Sequence, residues 1–161
     1  MPASQPEITV AAIAESEGRF LVVEERIHAR LVFNQPAGHM ERDESLLAAA
    51  IREVREETAW RFDPQAVMRV YSWRSPMSGV TTKRFTFCGS VDDHHASQPL
   101  DDGIVATHWL SKADLQQRES RLRSPLVLLC IEDYLAGKRS PLESIAHLNM
   151  QTAHSIPSVV V

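Results

Sequence analysis

Residues 38–60, GHMERDESLLAAAIREVREETAW, carry the reading on which the fold turns. A glycine, Gly38, opens the stretch, and a lone glutamate, Glu44, follows six residues on. After seven intervening residues comes Arg52-Glu53-Val54-Arg55-Glu56-Glu57. Leu47, Ala50, Ile51 and Val54 recur at i, i+3, i+4 and i+7, the spacing of an amphipathic helix with one apolar stripe. Ser45, or alternatively Asp43, can cap its N-terminus by accepting from free backbone N–H groups. At about 100° per residue, Glu53, Glu56 and Glu57 fall on one flank beside the stripe, with Arg52 next to Glu56. Carboxylates packed so closely raise one another's pKa unless a cation sits among them. Hard oxygen ligands of this kind suit Mg²⁺, with Mn²⁺ as a second choice, rather than zinc.

A bare run of acidic residues at helical spacing is an ordinary solvated face. Here the glycine, the first glutamate and the Arg-Glu pair also keep fixed distances. The pattern G-x5-E-x7-R-E-(apolar)-x-E-E-x-G-(apolar) is the signature of the Nudix hydrolases, and this stretch resembles it at every charged position. One position departs: Ala59 stands where the family has its last glycine, with Trp60 as the apolar residue after it.

The chain around this stretch has 161 residues, 43% hydrophobic and 24% charged, enough for one domain spanning 1–161 with an adequate core. A net charge of -4 gives no reason to expect a nucleic acid polymer as partner. No apolar run approaches about 18 residues, so no membrane span is expected. The start, MPASQPEITV, lacks a basic region and an apolar core, so no signal peptide is expected. Cys88 and Cys130 lie in apolar surroundings without a Cys or His at ligand spacing, and read as buried reduced thiols of a cytoplasmic protein.

Residues 7–15 and 19–25 are β-rich runs separated by Glu17-Gly18, and read as an antiparallel pair. Leu31–Phe33 is a short apolar stretch, followed by a loop over Asn34–Gly38. Asp63-Pro64 reads as a turn, 66–74 as a strand, 75–79 as a loop and 80–91 as a long strand. Residues 92–103 read as polar loop and 104–110 as strand, with Ser111 capping a short turn. A last helix is expected over about 124–137, from Ser124-Pro125 to a C-capping Gly137. The tail after 145 is weakly patterned. Strands and helices in this alternation imply an α/β fold, an α/β/α sandwich around a mixed β-sheet. The Nudix resemblance implies the same fold.

Further segments resemble one bacterial phosphatase branch of the family: FLVVEE (20–25), NQPAGHMERDE (34–44), RF (84–85), LRSPLV (122–127) and GKRSPLE (137–143). That resemblance implies hydrolysis of small nucleoside tri- and diphosphates and of a thiamin-precursor pyrimidine pyrophosphate, with release of orthophosphate. Other Nudix activities, on oxidised nucleotides or nucleotide-sugars, form the alternative. A non-catalytic sensor on the same fold would be expected to lose the glutamates that REVREE retains. The expected partner is a small nucleotide or pyrophosphate, and the chain a monomer or homodimer.

The chemistry assigns candidate roles. Glu53, Glu56 and Glu57 are candidate metal ligands, and the resemblance implies the Ala37 carbonyl as a further one. Gly38 would permit the close backbone approach this needs. Arg52 offers a planar fork of donors that can brace a glutamate, with Glu44 as its second partner or as an outer metal ligand; otherwise Arg52 is a surface pair with Glu56. The general base is Glu53 or an acid from a loop, where Asp101 and Asp102 are the candidates. Arg84 alternates with Phe85 and Phe87, and is a phosphate clamp if its face is the cleft, a surface cation if not. His39 can touch a phosphate or be a loop histidine, and Trp73 and Tyr71 can stack on a base or pack in the core.

Overall fold

The computed structural model describes residues 5–147. Eight strands form one mixed sheet: β1 Glu7–Ser16, β2 Arg19–Ile27, β3 Arg30–Asn34, β4 Ala37–His39, β5 Arg61–Arg74, β6 Thr81–Asp92, β7 Ile104–Ser111 and β8 Ser140–Pro141. Three α-helices accompany them: α1 Leu46–Thr58, α2 Lys112–Gln116 and α3 Leu126–Leu135. The order along the sheet is β3-β2-β1-β6-β5-β8, with β4 on β1 and β7 on β2. Among the described strands only β1 and β6 run parallel; the other neighbours are antiparallel.

The site owes its position to the way β1 and β2 part. They are joined by Glu17-Gly18, both at positive φ, which is the two-residue turn expected of a tight hairpin. They pair at Glu15↔Phe20 and Ser16↔Arg19. β2 then lies between β3 and β7, while the edge of β1 is taken by the segment before α1. Ala12 N–H donates to Pro36 O, and Thr9, Val10 and Ala11 pair with His39, Gly38 and Ala37. The expected loop over 34–38 is therefore half strand, and Gly38 sits inside the sheet.

α1 covers one face. Ser45 is its N-cap, accepting from Ala48 N–H at 3.0 Å, and Asp43 has no part in the cap. Ala49, Ala50 and Val54 pack with Val10, Ala12, Phe62, Val67 and Phe87. Ile51, expected on the buried stripe, is 37% exposed, because the helix is rolled so that Glu53 and Glu57 are buried instead. The opposite face is closed by α2 and α3, whose Leu115, Leu126, Cys130 and Ile131 pack on Ile13, Phe20, Met68, Tyr71 and Cys88. Both cysteines are buried and free.

Two departures concern proline and glycine. Asp63-Pro64 is no turn: β5 starts at Arg61, and its register with β6 shifts between Pro64 and Ala66. A bulge of this kind tolerates a residue that cannot donate to the ladder. α1 ends at Ala59, which takes φ 60° and ψ 9° and donates to Arg55 O, so alanine keeps the left-handed cap geometry. Gly137, at φ 72°, closes α3 as expected. The sequence tail beyond 147 lies outside the described residues.

Candidate active site

Helical spacing brings Glu53, Glu56 and Glu57 to the flank of α1 that faces β4 and the loop 93–103. Ala37 N–H donates to Glu57 Oε2 at 2.9 Å. A Cβ on Gly38 would overlap the Glu53 carboxylate, so only glycine leaves that group its place. Arg52 holds the outer side. Its Nε and Nη2 donate to both oxygens of Glu44 at 3.1 and 2.8 Å, a fork-on-fork pair. Its Nη1 donates to Glu53 Oε1 at 2.8 Å and to Glu56 Oε2 at 3.0 Å, and Nη2 also to His39 O at 3.0 Å. Glu44 in turn accepts from Glu41 N–H at 2.7 Å. Arg52 thus hydrogen-bonds three carboxylates, where the i,i+4 pair with Glu56 alone would be a minor surface contact.

The loop after β6 supplies a fourth acid. Asp101 N–H donates to Glu56 O at 3.0 Å. Carboxylate oxygens of Glu53, Glu56 and Asp101 lie within 4.8 Å of one another. Of the two loop acids expected, the structure brings Asp101 into this cluster, while Asp102 is exposed and stands outside it.

Burial and like charge act together on these groups. Burial raises the Glu53 pKa, Arg52 pulls it back, and Glu56 and Asp101 add to the rise. Burial pushes Glu57 to about 8, against the help of the Ala37 N–H, with the charges of Glu53, Glu25 and Asp101 adding to it. The bonds from Arg52 hold Glu44 below the usual carboxylate range. Three hard oxygen donors converging beside a buried fourth carboxylate fit a divalent cation of the Mg²⁺ or Mn²⁺ type, which would relieve the repulsion.

A buried cation stands within electrostatic reach of Glu57. Arg84 is 7% exposed, and burial lowers its pKa. Its Nη1 reaches Gln35 Oε1 at 3.4 Å, a long bond, and its Nε has no partner among the described residues. Gln35 is itself locked by donation to Val127 O at 2.7 Å. Glu25 and Arg123 stand nearby, paired at 3.6 Å. Arg84 is thus a buried residue, not a surface cation. Glu25, Gln35 and Arg123 escaped the reading by motif; their trace was in the segments FLVVEE, NQPAG and LRSPLV, which carried resemblance without assigned roles.

The remaining candidates divide. The His39 ring is exposed and pairs with Glu7 Oε2 at 3.1 Å, while its carbonyl serves Arg52. Tyr71 is core: its hydroxyl donates to buried Asp133 at 3.0 Å. Trp73 packs partly against that core and lines a pocket with Arg123 and Pro125.

Comparison with known proteins agrees with this geometry. The model of the NUDIX domain matches residues 4–128. The chain is 42% identical over 145 residues to phosphatase NudJ of Escherichia coli K12, covering 90% of this chain and 94% of that protein, and equally to NudJ of Shigella flexneri. This is the phosphatase branch that the segments outside the acidic helix resemble. Among solved structures, a NUDIX hydrolase from Nitrosomonas europaea is 41% identical with a TM-score of 0.88, over 89% of this chain and 98% of that one. A MutT NUDIX hydrolase from Burkholderia pseudomallei shares the fold at 20% identity and a TM-score of 0.67, over 81% and 98% of the two chains. The acidic helix, the glycine that gives it room and the arginine that ties it together accordingly have a family: the chain belongs to the Nudix hydrolases, enzymes that cut phosphoanhydride bonds.

Proposed function

We propose that this chain hydrolyses small nucleoside tri- and diphosphates and pyrimidine pyrophosphates of the thiamin-precursor type, with Mg²⁺, and releases orthophosphate. The observation that carries the reading is the convergence of Glu53, Glu56 and Asp101 beside buried Glu57, with Arg84 close by. The likeness to NudJ, described as a phosphatase, supports the choice of leaving group.

Glu53, Glu56 and Glu57 would hold the cation, with the Ala37 carbonyl and Asp101 completing the set. The cation, when bound, neutralises charge on the phosphate chain and lowers the pKa of a water. Glu53 or Asp101 would take the proton from the attacking water; Asp101 replaces Asp102 in this role because of its place in the cluster. Arg52 and Glu44 fix the orientation of Glu53 and Glu56. Arg84 would bind phosphate oxygens, satisfying the Nε donor that has no partner among the described residues. Two buried free thiols support a cytoplasmic setting.

Hydrolysis in ¹⁸O-labelled water, with mass analysis of the products, tests the bond broken. Attack on the terminal phosphorus places the label in orthophosphate, and a triphosphate gives the diphosphate first. Label in the nucleoside monophosphate, with stoichiometric pyrophosphate from a triphosphate, would overturn the phosphatase reading and leave a pyrophosphohydrolase.

A further inference from the structure

The loop after β6 begins with two histidines, and each ring grips the end of α1. His95 Nδ1 lies 2.7 Å from Arg55 Nη2. A guanidinium has only donors, so Nδ1 is the acceptor and the ring proton sits on Nε2, 3.3 Å from Asp93 Oδ1. Arg55 Nη1 donates to Asp93 O at 3.0 Å and to Ala59 O at 3.1 Å, and His95 N–H donates to Ala59 O at 3.0 Å. One residue back, the His94 ring lies against Trp60, with centroids 4.5 Å apart and planes tilted by 33°. Arg55 sits at the position inside the acidic motif that the family signature leaves free, between the apolar residue and the paired glutamates. Capping the helix would need only its bond to Ala59 O; the bonds to Asp93 and His95 are spent on the loop.

What this clip holds is Asp101. Its carboxylate enters the cluster from the loop, whereas Glu53 and Glu56 belong to α1. Carboxylates within 4.8 Å of one another repel, and a loop gives way before a helix does. The bond from Asp101 N–H to Glu56 O, at 3.0 Å, is one tie against that repulsion. The contact between Arg55 and His95 is another, at the opposite end of the same loop segment. We propose that Arg55 and His95 are positioning residues of the hydrolytic reaction, which clip the loop to the end of α1 and so set the Asp101 carboxylate beside Glu53 and Glu56; this rests on that cluster being the hydrolytic centre. Neither residue meets the substrate or the cation. Both act through Asp101, as outer partners act through the groups that they orient.

The test reads the metal alone and then turnover. Mn²⁺ is titrated into metal-free protein, with free Mn²⁺ followed by electron paramagnetic resonance. His95→Leu removes the acceptor and Arg55→Met the donors; His95 is exposed, so its substitution leaves the core intact. Each variant, like Asp101→Asn, is expected to weaken binding by at least about 10-fold, the scale for groups that orient metal ligands. His95→Asn, whose side-chain oxygen can accept from Arg55, recovers most of the loss. His95→Leu added to Asp101→Asn weakens binding no further, because the clip then has no carboxylate to place. Losses that multiply in the double variant, or wild-type binding in both His95→Leu and Arg55→Met, overturn the proposal. The same variants are then compared by kcat with saturating Mg²⁺ and ADP, and the same pattern is expected. A loss of turnover in His95→Leu that His95→Asn does not rescue marks a merely structural role and overturns the proposal. If the wild type binds Mn²⁺ and hydrolyses ADP while Asp101→Asn changes neither, the hydrolytic reading stands and the proposal fails. If the wild type does neither, the hydrolytic reading itself falls, and the proposal with it.

Discussion

Ala37 N–H and Glu57 Oε2 are joined by a hydrogen bond of 2.9 Å that ties the edge of the sheet to the last turn of α1. The bond partly offsets a burial that holds the Glu57 pKa near 8, against an ordinary 4.5. In the native chain Glu57 therefore binds its proton more tightly than in the unfolded chain. Its contribution to stability is present at low pH and is lost as pH rises from about 4.5 to about 8. Glu57→Gln keeps an oxygen to accept from Ala37 but carries no charge. Without divalent metal, its Tm is expected to exceed that of the wild type by a margin that grows across this window. Turnover is expected to fall at least about 100-fold, the scale of a lost charged stabiliser. Thermal unfolding in EDTA against pH, paired with Mg²⁺-dependent activity, reads both; near-normal activity would remove Glu57 from the metal set.

Gly38→Ala forces a methyl group into the space of the Glu53 carboxylate. Either the β4 segment or the glutamate must shift. A displacement of about 1 Å at a reacting centre costs up to about 100-fold in rate. The variant is expected to retain its far-UV circular dichroism and lose Mg²⁺-dependent kcat on that scale. Wild-type kcat would show that Glu53 can take its place elsewhere.

Arg52→Lys keeps the charge and loses the fork. Lysine cannot serve both oxygens of Glu44 while also reaching Glu53, Glu56 and the His39 carbonyl as Arg52 does. A loss of about 10- to 100-fold in metal affinity or activity is expected, typical for groups that orient metal ligands. Titration of Mg²⁺ against activity separates the two. An unchanged variant would reduce Arg52 to a surface ion pair.

Ala59 holds a conformation that glycine holds without strain. The left-handed backbone costs alanine roughly 1–2 kcal/mol. Removing its buried methyl gives back roughly 0.8 kcal/mol. Ala59→Gly is therefore expected to raise the Tm by up to about 4 °C. A lower Tm on differential scanning calorimetry would show that the methyl group's packing outweighs the strain.

Local signals were the legible ones. Ser45, the span of α1, the capping role of Ser111 and the start of α3 follow from residues within a turn of each other, and the structure keeps them. The acidic flank followed from helical spacing alone, although the roll of the helix did not: Ile51 is apolar, and only the tertiary placement of β4 makes the glutamate flank the buried one. Pro64 read as a turn because a proline inside a strand needs a bulge, and a bulge is defined by the partner strand. The choice between Asp101 and Asp102 depended on one backbone bond to Glu56, 45 residues away in sequence. Glu25, Gln35 and Arg123 come from three separate segments. Their meeting is set by the parting of β1 and β2, which no periodicity within either strand announces.

The loop that carries Asp101 is also the cap of the acidic helix. Asp101 N–H bonds Glu56 O, Gln98 Nε2 bonds Arg55 O, His95 N–H bonds Ala59 O, and Arg55 returns a bond to Asp93 O. The last turn of α1 and residues 93–101 are consequently expected to open as one cooperative unit. Their amides are expected to exchange with solvent at a common rate, and fraying at either end would remove Glu56 and Asp101 from the cluster together.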